Sequence, residues 1–169
     1  NTIMEYCALS LGTPFFHVYQ FITYMFLHVN FEHIFFNMFA LWMFGRTLEY
    51  ELGQKRFLTY YMVCGIGAAL IQYLTALAFG EFPLVLVGAS GAVMGLLLAF
   101  GVLHPNAVIM LLIPPIPMKA KWFVVIYGVI ELFLGWRGVG NVAHFAHVGG
   151  MLWGFLLLQW WKQRGIIRF

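Results

Sequence analysis

The chain has 169 residues, of which 63% are hydrophobic, 19% aromatic and only 9% charged, and its formal net charge is +3. That length suits one domain, but soluble domains carry roughly a quarter charged residues, so the composition excludes an ordinary water-soluble protein and makes the bilayer the natural solvent. Nine Lys and Arg form no patch suited to nucleic acid, and the two cysteines, Cys7 and Cys64, suggest neither a disulfide framework nor a zinc cluster.

The chain opens at Asn1 with neither an initiator Met nor a signal-peptide pattern, which reads as a fragment or a processed product. Residues 1–30 form an amphipathic leader too mixed for a membrane span. A hydrocarbon core about 30 Å thick needs about twenty apolar helical residues. Five segments answer to that requirement, near 31–50, 57–79, 88–103, 120–135 and 142–161. Every backbone amide at membrane depth needs a partner, so helices are expected. The predicted class is an all-α, polytopic membrane helical bundle, with residues 1–169 forming one domain.

The basic residues divide these segments consistently. Arg46, Lys55 and Arg56 follow the first, Lys119 and Lys121 the third, and Lys162, Arg164 and Arg168 the fifth, leaving Arg137 alone on the alternate loops. The positive-inside rule then assigns the basic loops to the cytoplasm and 1–30, 80–87 and 136–141 to the outside. The third segment is short, about 24 Å at 1.5 Å per residue. Pro105 closes its cytoplasmic end. The missing length falls at the outer end, where Phe82 to Val87 is expected to descend as irregular apolar chain lining an outward-opening cavity.

At the tip of that short helix, Gly88-Ala89-Ser90-Gly91 sets a serine where first-turn amides lack helical partners and can stabilise an anion. The same small residues could simply permit tight helix packing. A serine needs a base, and His147, about two turns into the fifth segment, stands at comparable depth. Ala146, Gly150 and Gly154 beside it form a small-residue stripe suited to close approach. An intramembrane histidine can equally serve as a helix-to-helix hydrogen bond.

His33 and Asn37, four residues apart near the outer end of the first segment, could donate to an oxyanion or make a polar packing contact. The sequence contains no Asp, so a Ser-His-Asp triad is excluded and a dyad is the simpler proposal. Glu131 in the fourth segment could orient a histidine, but it reads more readily as a structural hydrogen-bond partner and is left out of the site. His28, His33, His144 and His147 at helix ends leave haem or metal binding open, although their spacings demand neither.

The run His28-Val29-Asn30-Phe31-Glu32-His33-Ile34-Phe35-Phe36-Asn37, the Gly-x-Ser-Gly of 88–91 and Ala146-His147-Val148-Gly149-Gly150 together resemble, in order and spacing, the rhomboid intramembrane proteases. Gly45-Arg46-Thr47-Leu48-Glu49 with Gly53, and the Pro-rich 114–117, extend the resemblance over nearly the whole chain.

The resemblance implies Ser90 as nucleophile, His147 as general base, and His33, Asn37 and the Ser90 amide beside Ala89 as oxyanion donors. His28 matches a histidine usual at its position, and Met94 stands where an aromatic commonly stacks on the catalytic histidine. It implies a bacterial-type six-helix core, of which five helices are recognisable here. Residues 1–30 would correspond to the external loop after a truncated first helix. It further implies transmembrane protein substrates, no cofactor or metal, and a multi-pass protein of the bacterial cytoplasmic (inner) membrane with its site open to the external side. The alternatives are a non-proteolytic rhomboid-like binder of membrane helices, a haem- or metal-binding membrane protein, and a small transporter.

Overall fold

The computed structural model describes residues 2–110, 115–138 and 143–169. Pro114 of the proline-rich region, the part of the expected 136–141 loop beyond Gly138, and residue 142 at the start of the fifth segment lie outside the described residues.

Two helices of the leader come first, α1 (Thr2–Cys7) and α2 (Gln20–Thr23), with strand β1 (Leu9–Leu11) between them and a 3-10 turn, Tyr24–Phe26, after α2. Five longer helices follow: α3 (Phe31–Leu52), α4 (Gln54–Phe79), α5 (Ser90–Leu103), α6 (Ala120–Arg137) and α7 (His144–Gln163). Each overlaps one of the apolar segments. Their ends have local causes. The Asn30 side chain accepts from the His33 amide at 2.8 Å, an N-cap that satisfies one free amide of the first turn of α3. Gly53, at φ +78°, ends α3 and turns the chain straight into α4.

Among the described residues, α4 is long and apolar enough to cross a membrane, and α5 is a shorter apolar helix. Around the bundle, large apolar side chains such as Trp42, Leu74, Phe79, Ile130, Phe133 and Trp136 face outward.

The segment expected to be irregular carries a strand. β2 (Leu84–Leu86) pairs antiparallel with β1, Leu9 opposite Leu86 and Leu11 opposite Leu84. Backbone groups that an apolar setting would leave unsatisfied thus find partners in the leader. The leader is itself pinned by fully buried Gln20, whose Oε1 accepts from the Ser10 amide at 3.1 Å while its Nε2 donates to the Phe15 carbonyl at 2.8 Å. A second small hairpin, β3 (Val108–Met110) with β4 (Pro117–Lys119), joins α5 to α6.

α5 is the central element, packed against α3, α4, α6 and α7. Its glycines permit this. A Cβ on Gly95 would strike the Cys64 side chain of α4, and one on Gly150 of α7 would strike the carbonyl oxygen of Gly91. Backbones that nearly touch gain dispersion contacts that larger residues would block. Two phenols add hydrogen bonds: Tyr60 donates to the Gly95 carbonyl at 2.8 Å and Tyr24 to the Gly65 carbonyl at 2.6 Å.

Candidate active site

Ser90 is the first residue of α5, with fully buried Ala89 as the N-cap. Gly88 precedes them at φ +119°, a conformation that L side chains rarely adopt, and a Cβ there would approach the His33 imidazole to 2.7 Å. The Gly88 amide donates to the Tyr24 carbonyl at 2.9 Å, so the leader holds the chain just before the serine. The first-turn amides of α5 have no carbonyl acceptor within the helix, which leaves donors around the Ser90 hydroxyl.

His147 reaches that hydroxyl directly, with Nε2 2.8 Å from Ser90 Oγ. It belongs to the first turn of α7, which begins at His144, so it is nearer the helix end than the sequence suggested. Ser90 is also at a helix start, and the two side chains meet because both helices begin at one level. Gln72 of α4 ties α7 at that level: the Ala146 amide, which donates to the Ala143 carbonyl at 3.0 Å, also donates to Gln72 Oε1 at 3.0 Å. The close approach of Gly150 to Gly91 fixes the lateral distance.

On the other side of Ser90 stand the residues of α3. The His33 ring lies against Gly88, and His28 meets it edge-on with centroids 4.9 Å apart. Burial, and then the neighbouring His33, lower the pKa of His28 below the ordinary imidazole value. Asn37 is buried; its Nδ2 donates to the His33 carbonyl at 2.8 Å, while its Oδ1 has no hydrogen-bond partner. Ser90, His147, His33, Asn37 and half-buried Met94 all line one cavity of about 790 Å³. His28 contacts this group through His33.

The structure adds a residue that the sequence reading left aside. Glu131 of α6 is 4% exposed, and its Oε2 lies 2.7 Å from His144 Nδ1 and 3.0 Å from His147 Nδ1. The first contact has hydrogen-bond alignment; the second is within ion-pair distance but not aligned, so His147 Nδ1 has no hydrogen-bond partner. Ligand-type atoms of Glu131, His144 and His147 lie within 4.8 Å of one another, a set that could also hold a divalent cation. The available signals were a lone carboxylate in α6 and the mid-helix Gln72 in α4, each amid apolar residues, where polar groups are expensive and need partners.

The sequence profile of the rhomboid family, described as "Rhomboid domain", matches residues 16–162. "Rhomboid protein 1, mitochondrial" of Saccharomyces cerevisiae is 34% identical over 146 residues, covering 83% of this chain and 41% of the relative. "Presenilin-associated rhomboid-like protein, mitochondrial" of Bos taurus is 28% identical, covering 82% of this chain and 38% of the relative. "Rhomboid-like protein 11, chloroplastic" of Arabidopsis thaliana is 41% identical over 78 residues, covering 46% of this chain and 26% of the relative. The chain therefore spans about two fifths of the length of the mitochondrial relatives it matches.

These relatives overturn the expected bacterial cytoplasmic membrane, since they are named as mitochondrial or chloroplastic. Hydropathy and loop charge distinguish the two sides of a membrane; they carry no information about which membrane it is.

Proposed function

The chain belongs to the rhomboid family, and from that premise we propose that it is an intramembrane serine endopeptidase acting on transmembrane segments of membrane proteins. The observation that carries this reading is the 2.8 Å contact between Ser90 Oγ and His147 Nε2. That is hydrogen-bond reach for a nucleophile and its base. As Ser90 Oγ attacks a peptide carbonyl carbon, its proton passes to His147 Nε2. The same proton then goes to the leaving amine, and water hydrolyses the acyl-enzyme by the reverse path.

The negative charge on the carbonyl oxygen develops beside the tip of α5, where the Ser90 amide is a fixed donor. His33 and Asn37 are proposed as side-chain donors from α3. For Asn37 this requires its Nδ2, now bonded to the His33 carbonyl, to turn toward or share with the oxyanion. Met94 and His28 shape the cavity and the His33 ring without taking part in proton transfer.

All five long helices are proposed to lie in the bilayer, supported by the outward-facing Trp, Phe, Leu and Ile side chains. The membrane is proposed to be organellar, by similarity to the mitochondrial and chloroplastic relatives. A membrane helix hides its peptide bonds, so a substrate has to unwind locally before it can enter the cavity.

The test is cleavage of a model transmembrane substrate in proteoliposomes by the parent, Ser90→Ala and His147→Ala. Each variant is expected to lose about a thousandfold or more in kcat. Equal cleavage by Ser90→Ala and the parent would refute the reading.

A further inference from the structure

We propose that Glu131 is a positioning residue for His147, so that the serine and histidine work within a three-member set of side chains from α5, α7 and α6. This rests on the serine-protease reading above.

The argument starts from the imidazole. His147 can take the Ser90 proton at Nε2 only in the tautomer that carries its own proton on Nδ1. That Nδ1 is buried and has no hydrogen-bond partner, an expensive state for a polar atom, yet a carboxylate oxygen stands 3.0 Å away. A small rotation of the ring aligns the N–H with Glu131 Oε2. Hydrogen bonds of this kind are often poorly aligned without substrate and tighten when it binds.

An ionised carboxylate only accepts hydrogen bonds, so Glu131 selects N–H on Nδ1 and leaves the Nε2 lone pair for Ser90. His144 serves the same end from the other side. Its Nδ1 holds Oε2 at 2.7 Å, so the acceptor is fixed before His147 uses it. A carboxylate buried in an apolar helix is costly to keep ionised, and two imidazoles converging on one oxygen explain how it is accommodated there.

During attack the Ser90 O–H bond breaks, a bond forms from Oγ to the substrate carbonyl carbon, and the proton moves to Nε2. The proton on Nδ1 stays in place and Glu131 remains ionised. The new imidazolium then lies beside a negative charge in a water-poor setting, where that neighbour counts most.

The experiment uses the full chain in proteoliposomes: parent, Glu131→Gln, Glu131→Ala and Glu131→Asp. Three quantities are read for each: the rate at which a fluorophosphonate labels Ser90, kcat and KM on a transmembrane substrate, and the 15N shifts of His147. The parent is expected to label, with His147 protonated on Nδ1. Glu131→Gln and Glu131→Ala should lose about a hundredfold or more in kcat and labelling with KM little changed. Glu131→Asp should recover at least tenfold over Glu131→Gln.

Parent-rate labelling by Glu131→Gln, with unchanged 15N shifts, overturns the proposal while leaving the protease reading intact. A parent that neither labels nor cleaves removes the protease reading itself. If the Gln and Ala variants do not fold, the parent spectrum decides, and protonation on Nε2 in the resting enzyme overturns the proposal. Loss of parent activity in EDTA with recovery on adding zinc also overturns it, because the three side chains would then be metal ligands.

Discussion

Gly150 of α7 faces the carbonyl oxygen of Gly91 in α5 so closely that one added methyl group would collide with it. The contact sits one residue past Ser90 on α5 and three past His147 on α7, so it sets how far apart those two side chains can be. Packing and chemistry share one dimension here, and substitutions at this contact should alter both.

Gly150→Ala is therefore expected to push α7 away from α5, costing about 1–3 kcal/mol by overpacking. Fluorophosphonate labelling of Ser90 should slow more than the drop in thermal stability alone would explain. Measuring unfolding in detergent alongside labelling separates the two effects.

At Gly88 the difficulty is backbone conformation as well as space. Gly88→Ala must hold φ near +119° and move the His33 ring, and left-handed backbone alone costs about 1–2 kcal/mol in a residue with a Cβ. Reduced cleavage is the expected outcome, with KM and kcat both changed because the tip of α5 shifts. Steady-state kinetics at matched lipid composition checks this.

Asn37→Ala removes a proposed oxyanion donor from α3. Cleavage should slow by about a hundredfold, while labelling of the folded variant reports whether Ser90 remains accessible. Since the Asn37 amide also bonds the His33 carbonyl, a loss of about 1 kcal/mol in stability is expected as well. An unchanged cleavage rate would remove Asn37 from the oxyanion site.

Gln72→Leu tests the level of α7. The Ala146 amide would lose its tie to α4 and keep only the Ala143 carbonyl, costing about 0.5–1.5 kcal/mol. His147 should then sit less well over Ser90, seen as slower labelling at unchanged substrate binding. Gln72→Glu, which keeps an acceptor oxygen, should retain more of the rate than Gln72→Leu.

Much of this arrangement is written locally in the chain. Apolar runs and charged loops located the five helices within a few residues, because helix extent here follows from hydropathy. Ser90 and His147 could be set at similar depth from helix ends alone, since helical rise is regular. The rotation of α6 is not local information. Glu131 points at two imidazoles because of how α6 packs on its neighbours, and no spacing within α6 states that. The pairing of Leu84–Leu86 with Leu9–Leu11 was hidden for the same reason, being a contact between distant parts of the chain.

That pairing also bears on how the protein is made. Synthesis runs from the N-terminus, so β1 emerges long before β2 and must wait with an unpaired edge until Leu84–Leu86 arrives. The surroundings of Ser90 are thus shared between an early-made and a later-made part of the chain, since the strand that leads into Ser90 has its pairing partner in β1.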